Sequence, residues 1–417
     1  MRGGVRIPGD KSISHRALIL SALADGQSRI RGILNSADIQ STAGVLRGLG
    51  VSVVAQDDGS ILVLGSGPHA LSAPIADLDA GNSGTTTRLI SGVLAALPFT
   101  SRVVGDASLS ARPMRRVAKP LGAMGASFSF DGDDGLPMSI TGAALQGLTW
   151  FSESASAQVK SAILLAGFTA GVPVEVHEPV PTRDHTERMM RLRGVDVRSE
   201  GTVATLIPGA PIAALDVDVP GDPSSAVFFA ALAAMATGGD VTLAGVCANP
   251  SRTGALRVLE RMGVRIGWED MKDVGGEPTA TLVVAPRVLR ATTIDGSEVP
   301  SLIDELPVLA CVAARADGET RVTGAAELRV KESDRIALVV RNLRAVGAEA
   351  EELEDGFVVR GSDRPLAGRV ETGGDHRIAM AFGVLGAATG GRITIDDPNC
   401  VAVSYPNFWT DLAYVAD

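Results

Sequence analysis

Aromatic residues make up only 4% of this 417-residue chain, and tyrosine occurs twice. So thin a supply of large rings argues against a β-sandwich. The 48 glycines and 45% hydrophobic content point instead to small-residue helices and tight turns. Cysteine is scarce as well. Cys247, Cys311 and Cys400 lie far apart, with no CxxC and no His cluster, which argues against a disulfide framework and a zinc site. A basic excess is missing, and the net charge of -10 argues against a nucleic-acid backbone as partner. No apolar run approaches a membrane span. Lysine is rare: five of 38 basic residues, with Lys11, Lys160 and Lys331 in polar motifs. A lysine kept where arginine is the default suits a compact, tunable ammonium.

What is present is length for two or three domains and a conspicuous start. Pro8-Gly9-Asp10-Lys11-Ser12-Ile13-Ser14-His15-Arg16 packs cations, hydroxyls and an imidazole ahead of the apolar run Ala17–Ala24, which Asp25-Gly26 stops. A donor-rich turn at a helix N-terminus suits an anion, because free N–H groups and the helix dipole favour negative charge there. A Ser-capped surface helix is the other reading. The basic residues before Ala17–Ala24 also imitate a signal peptide. However, the apolar core is short, Asp10 interrupts the basic part, and similar segments recur, so the segment reads as structure in a cytoplasmic protein.

That recurrence sets the architecture. An apolar helix, a Gly or Pro turn and a short β-branched strand occur six times, with helices at Ala17–Ala24, Thr86–Leu97, Val159–Ala170, Ser225–Ala236, Leu306–Ala316 and Arg377–Ala388. Between most of them lies a second helix ending at a glycine, as at Gly50, Gly125, Gly194, Gly263 and Gly347, where a C-cap takes a left-handed residue. The expected class is therefore α/β (α+β), from six βαβαββ units of about 70 residues, three per lobe around buried helices. Ordinary doubly wound alternation is the competing reading. Pro220-Gly221-Asp222 echoes Pro8-Gly9-Asp10 and breaks the pattern midway, as a second crossing between lobes does.

Polar clusters sit mostly ahead of these helices. Gly81-Asn82-Ser83-Gly84-Thr85-Thr86-Thr87-Arg88 offers backbone and hydroxyl donors without P-loop spacing. Arg112, beside Pro113, suits bidentate binding of a carboxylate or phosphate. Ser156 and Gln158 open the third helix, and Thr182-Arg183-Asp184-His185 follows the next strand. Asp304-Glu305, Lys331-Glu332 with Arg335, and Asp375-His376-Arg377 bring carboxylates among cations, the material of general acid–base chemistry. Taken singly, each reads as a helix cap or a charged helix start. Together they form two half-sites for substrates with several negative charges, and closure of the lobes is expected to exclude water.

At these residues the chain resembles the 5-enolpyruvylshikimate-3-phosphate synthase family of enolpyruvyl transferases. The resemblance rests on PGDKSISHRAL, GNSGTTTRL, GDASLSARPM, SAQVKSA, TRDHTE, PGDPSSA, DELP, RVKESDR and DHRIAMA, in that order along nearly the whole chain. It implies a two-lobed fold, with one lobe at 9–220 and the other at 1–8 plus 221–417. It also implies transfer of the enolpyruvyl group of phosphoenolpyruvate to the 5-hydroxyl of shikimate 3-phosphate, with loss of phosphate. Neither metal nor organic cofactor is implied. The expected partners are those two small molecules, with no nucleic acid and no membrane, in a cytoplasmic monomer.

By the same resemblance Lys11, Asp304, Glu332 and His376 are catalytic. Lys11, Ser12, Arg16, Ser156, Ala157, Gln158, Thr182, Arg183, Asp304 and Lys331 hold shikimate 3-phosphate. Lys11, Gly84, Arg112, Gln158, Arg335 and Arg377 hold phosphoenolpyruvate. Three positions depart from the pattern: Ala157 replaces a second Ser, Glu327 an Asn, and Val403 a Lys that contacts phosphoenolpyruvate. The nearest alternative is UDP-N-acetylglucosamine enolpyruvyl transferase. Its loop Cys has no counterpart here, since none of the three Cys lies in the region 106–124. A non-catalytic phosphometabolite-binding protein of the same fold is the other alternative.

Overall fold

A computed structural model describes residues 2–416. Repeat by repeat, the inner and outer helices are α1 (Lys11–Leu23) and α2 (Ala37–Gly48), then α3 (Gly84–Ala95), the one-turn α4 (Ala107–Ser110) and α5 (Arg115–Ala123). Next come α6 (Ala157–Ala170) and α7 (His185–Leu192), α8 (Pro223–Met235) and α9 (Gly254–Arg261), α10 (Leu306–Ala313) and α11 (Arg335–Ala345), and finally α12 (His376–Ala388) and α13 (Phe408–Ala416). The five glycines expected to end outer helices all have positive φ, from 86° to 121°, a conformation that only glycine adopts without strain.

The chain divides into two compact units. One is Gly9–Val219 with Val274–Gly276; the other takes 2–8, Pro220–Asp273 and 277–416. The first unit carries three four-stranded sheets of one pattern. In each, a leading strand runs parallel to its neighbour and the next two strands are antiparallel. The orders are Val217–Asp218, Asp25–Arg31, Ile61–Ser66, Ser52–Ala55; then Leu78–Asp79, Thr100–Val104, Met138–Thr141, Ser127–Phe130; then Leu148–Phe151, Val174–His177, Val203–Ile207, Asp196–Glu200. The leading strand of the first sheet comes from the far end of the unit's sequence. The α1 helix is buried from Ile13 to Leu23. Gly92 lets α3 meet α6 backbone to backbone: a Cβ there would lie 2.1 Å from the Ala162 carbonyl oxygen.

In the second unit the leading strand Arg2–Arg6 pairs parallel with Asp240–Cys247. The segment 2–8 thus supplies a strand to this unit while the helix that follows it belongs to the other. The second sheet orders Thr293–Ile294, Glu319–Val322, Gly356–Arg360, Glu349–Leu353. Helix α8 is apolar on every side and buried from Pro223 to Ala234, so it can only be a core helix.

The sixth repeat is shorter than expected. Among the described residues it has two strands, Gly368–Val370 and Ile393–Ile395, and ends on α13 with no hairpin. Asp396-Asp397-Pro398-Asn399 carries no strand pattern. Phe408 of α13 packs against Phe228 and Phe229, with ring centroids 5.7 and 6.1 Å apart, so a helix covers this part of the core.

Candidate functional site

The donor-rich stretch before Ala17 is helix, not turn. The Asp10 carboxylate accepts the Ile13 N–H at 2.8 Å and so caps α1 six residues earlier than the apolar run predicts. Lys11, Ser12, His15 and Arg16 therefore lie on the first two turns, and Lys11 and His15 share a face at i, i+4. Lys11 is ion-paired with Asp38 in the first turn of α2, a carboxylate that is itself almost wholly buried. Arg16 is buried, and its guanidinium is bound within the protein. Nε donates to Thr186 Oγ1 at 2.7 Å, one Nη to Ser161 Oγ at 2.8 Å and the other to the Ser12 carbonyl at 2.9 Å.

Two further inner-helix starts complete this unit's cluster. Ser83 caps α3 by accepting the Thr86 N–H at 3.1 Å, and Ser156 caps α6 by accepting the Val159 N–H at 3.4 Å. Arg88 Nη1 donates to Gln158 Oε1 at 2.6 Å, and Gln158 Nε2 donates to Thr85 Oγ1 at 3.0 Å, which ties the two starts together. Arg112 donates to Asn82 Oδ1 at 2.7 Å. Gly84 lies beneath both guanidiniums: a Cβ there would stand 3.2 Å from Arg88 Nη1 and 3.4 Å from Arg112 Nη1.

Behind this cluster runs a buried hydrogen-bond chain. His15 Nδ1 and Thr42 Oγ1 are 2.6 Å apart, Thr42 Oγ1 and Thr86 Oγ1 are 2.6 Å apart, and Thr86 Oγ1 donates to Ser83 Oγ at 2.8 Å. A hydroxyl donates only one proton. With Thr86 donating to Ser83, Thr42 donates to Thr86 and His15 donates from Nδ1. Burial first, then the positive charges of Lys11 and Arg16, hold the His15 imidazole well below its usual range and keep it neutral.

Near the start of α6 the motif that follows the strand Val174–His177 folds onto the same helix. Thr182 is buried and donates to Glu178 Oε1 at 2.5 Å, while Arg183 is half-buried. Ala157 is the first residue of α6.

The second unit holds the acidic cluster. Arg335, at the start of α11 and 1% exposed, is surrounded by three carboxylates. Nε is 2.8 Å from Asp375 Oδ2, one Nη is 2.6 Å from Glu332 Oε2, and the other is 3.2 Å from Asp304 Oδ1. Burial disfavours this guanidinium, but Asp375, Glu332 and Asp304 outweigh it and raise its pKa. Asp375 is likewise buried, yet Arg335 holds its carboxyl below the usual range. The Lys331 ammonium lies 3.6 Å from Asp304 Oδ1. His376 and Arg377 open α12, whose cap is Asp375, accepting the Arg377 N–H at 2.8 Å. Arg377 Nη1 is 3.8 Å from Glu305 Oε1, and the guanidinium lies over the Phe228 ring at 5.9 Å.

Among the expected residues, the structure gathers Lys11, Ser12, Arg16, Gly84, Arg112, Ser156, Ala157, Gln158, Thr182 and Arg183 in one unit, and Asp304, Lys331, Glu332, Arg335, His376 and Arg377 in the other. Asp38 and Arg88 are partners that sequence reasoning gave no role, and Asp375 it read only as one carboxylate among cations, not as the partner of Arg335. Arg88 and Asp375 stand inside motifs already singled out. Asp38 lies in the first turn of α2, a helix that the sequence marks only by its closing Gly50. Among the described residues no group of three or more His, Cys, Asp or Glu side chains could hold a metal ion, and no helix is long and apolar enough to cross a membrane.

Comparison with known proteins agrees along the whole chain. A family model for EPSP synthase (3-phosphoshikimate 1-carboxyvinyltransferase) matches residues 1–412. A 3-phosphoshikimate 1-carboxyvinyltransferase of Sulfurihydrogenibium sp. (strain YO3AOP1) is 46% identical over 421 residues, covering 100% of this chain and 97% of the relative. One from Acidithiobacillus ferrooxidans is 48% identical over 408 residues, covering 98% and 94%. The solved EPSP synthase of Acinetobacter baumannii superposes with a TM-score of 0.86 at 43% identity, covering 100% of this chain and 95% of that one. The enolpyruvyl transferase NikO of Streptomyces tendae shares the fold at a TM-score of 0.75 and 19% identity, covering 99% of this chain and 94% of that one. With residues 1–412 matched and both clusters inside the match, the chain belongs to the EPSP synthase family.

Proposed function

We infer that this chain transfers the enolpyruvyl group of phosphoenolpyruvate to the 5-hydroxyl of shikimate 3-phosphate and releases phosphate. The observation that carries this reading is the family match across residues 1–412, which spans both clusters. In the reaction the 5-oxygen bonds to C2 of phosphoenolpyruvate, its proton passes to a base, and C3 gains a proton. The tetrahedral adduct then loses a proton from the C3 methyl as the bond from C2 to the phosphate oxygen breaks.

The roles are those that the family resemblance implies, and the chemistry of each group supports them. Asp304, its carboxylate oriented by Arg335 and Lys331, takes the hydroxyl proton. Glu332, held at the other side of the Arg335 guanidinium, delivers and later removes a C3 proton, with His376 in support. Lys11, at the positive start of α1, binds phosphoenolpyruvate and shares in proton transfer. Gly84, Arg112, Gln158, Arg335 and Arg377 hold phosphoenolpyruvate, an anion suited to guanidiniums. Ser12, Arg16, Ser156, Ala157, Gln158, Thr182, Arg183 and Lys331 hold shikimate 3-phosphate. The reading extends to a cytoplasmic monomer that needs no metal.

A phosphate-release assay with a chelator present tests it. Release is expected only when both substrates are added, and UDP-N-acetylglucosamine is expected not to replace shikimate 3-phosphate. Release with the nucleotide sugar alone as acceptor, or none with shikimate 3-phosphate, overturns the assignment.

A further inference from the structure

Lys160 lies on α6, one residue before the Ser161 hydroxyl that receives Arg16, and is 3% exposed. Its ammonium is 2.8 Å from Glu178 Oε2 and 2.9 Å from Glu187 Oε1. Both carboxylates are as buried as the lysine. Glu178 then receives the Thr182 hydroxyl on its other oxygen, at 2.5 Å. Thr186, next to Glu187, bonds both Arg16 at 2.7 Å and Ser161 at 2.7 Å. One ammonium thus grips both ends of the segment 178–187, and this segment carries Thr182 and Arg183. With Arg16, the cluster holds two cations and two carboxylates and is neutral, which makes its burial tolerable. Burial alone would disfavour the ammonium, but Glu187 and Glu178 outweigh it and raise its pKa, so the lysine stays charged.

We propose that Lys160 is a positioning residue for shikimate 3-phosphate, acting through Glu178 to fix the Thr182 hydroxyl and through Glu187 to fix the far end of the same segment. This rests on the reading that Thr182 and Arg183 hold that substrate. The lysine meets the two carboxylates with a compact ammonium whose three protons can be shared between them. A buried ion cluster that only stabilises the fold would leave substrate affinity unchanged.

The test is kinetic. Lys160→Gln made together with Glu187→Gln removes one positive and one negative group, so the net charge of the cluster is kept. The KM for shikimate 3-phosphate is expected to rise about ten-fold, with kcat and the KM for phosphoenolpyruvate changing by no more than about two-fold. Thr182→Val alone is expected to raise the same KM about ten-fold, and adding it to the paired variant to add less than about two-fold, since both changes break one link. Should the paired variant not fold, Lys160→Met with Glu178→Met reads the same link at unchanged net charge, because methionine at 178 offers the Thr182 hydroxyl no carboxylate oxygen. An unmoved KM for shikimate 3-phosphate with only a lower melting temperature overturns the positioning role, and so do effects that multiply independently or a Thr182→Val protein with unchanged KM. No turnover by the unaltered protein overturns the proposed function, and the positioning role with it.

Discussion

Arg335 Nε stands 2.8 Å from Asp375 Oδ2, and the same carboxylate caps α12 by accepting the Arg377 N–H. One buried acid therefore fixes the Arg335 guanidinium and the backbone start of α12, the helix that carries Arg377. It also receives the Ser333 hydroxyl at 2.9 Å. The guanidinium expected to bind phosphoenolpyruvate is thus fixed in direction before any ligand arrives, with Asp304 and Glu332 on its remaining edges. That arrangement holds two candidate proton carriers around one rigid cation, which is the preorganisation that proton transfer requires.

Asp304→Asn and Glu332→Gln keep shape and remove a titrating carboxylate. Arg335 retains Asp375 in both, so the fold is expected to survive. We expect kcat to fall on the order of 10²-fold or more in each, with KM values moving by less than about three-fold. Steady-state kinetics for both substrates check this. A Glu332→Gln protein changed only in KM would show that Glu332 carries no proton.

Lys11→Met keeps volume and removes the ammonium, so turnover is expected to collapse. It also strips Asp38 of its partner in a site where that carboxylate is 6% exposed. A stability loss of about 1–3 kcal/mol is expected, less than for a fully enclosed pair because Lys11 itself is 19% exposed. Adding Asp38→Asn is expected to restore most of the stability and none of the activity. Denaturant melts beside a turnover assay separate the two effects. Recovery of activity in the double variant would place the chemistry elsewhere.

The repeated helices were legible because small apolar residues and a closing glycine punctuate each one. Their starts were less so. The apolar run Ala17–Ala24 marks where α1 becomes featureless, whereas its true start is set by one carboxylate, Asp10, three residues before the N–H it caps. The same limit hid Asp38: an acid in the first turn of α2 looks like any helix-start acid until the fold brings Lys11 to it. Arg335 shows a further limit. Its motif marks it as an anion ligand, but that Asp304, Glu332 and Asp375 all reach it depends on three separate helix starts converging. The missing hairpin of the sixth repeat is also a tertiary matter, since α13 covers the core with Phe408.

His15 supplies a pH test. Its pKa is depressed in the folded protein, by burial first and then by Lys11 and Arg16, while the unfolded chain has the ordinary value of 6.5. Below 6.5 the unfolded state binds a proton that the folded state refuses, so stability falls as pH drops. The contribution is present in full above that value and is lost by up to roughly 1.4 kcal/mol per pH unit below it. His15→Asn removes this group while an amide can still donate to Thr42. The variant is expected to lose less stability than the unaltered protein between pH 7.5 and 5.5, an interval chosen to span about one unit on each side of the ordinary histidine value. Parallel pH slopes for the two proteins would show that His15 is protonated in the fold.

Glyphosate, which competes with phosphoenolpyruvate in this family, tests the space at Gly84. A methyl there would meet the guanidinium ends of two side chains, Arg88 Nη1 at 3.2 Å and Arg112 Nη1 at 3.4 Å, with Leu109 Cδ1 at 3.7 Å. None of these is backbone, so the fold tolerates Gly84→Ala, but the Arg88 guanidinium must give by a few tenths of an ångström, with Arg112 at the edge of ordinary contact. Arg88 holds Gln158, so the displacement is passed to a group assigned to phosphoenolpyruvate. The unaltered protein is expected to be inhibited competitively with phosphoenolpyruvate, since Gly84 leaves the space open. Val403, where many members have Lys, removes a cation shared by substrate and inhibitor and need not discriminate between them. A steric block does discriminate. Gly84→Ala is therefore expected to raise KM for phosphoenolpyruvate by about two- to five-fold and Ki for glyphosate by at least about ten-fold more than that, a difference of at least about 1.4 kcal/mol between the two ligands. Ki and KM measured on both proteins decide it. An unchanged ratio of Ki to KM would mean that the methyl crowds substrate and inhibitor alike.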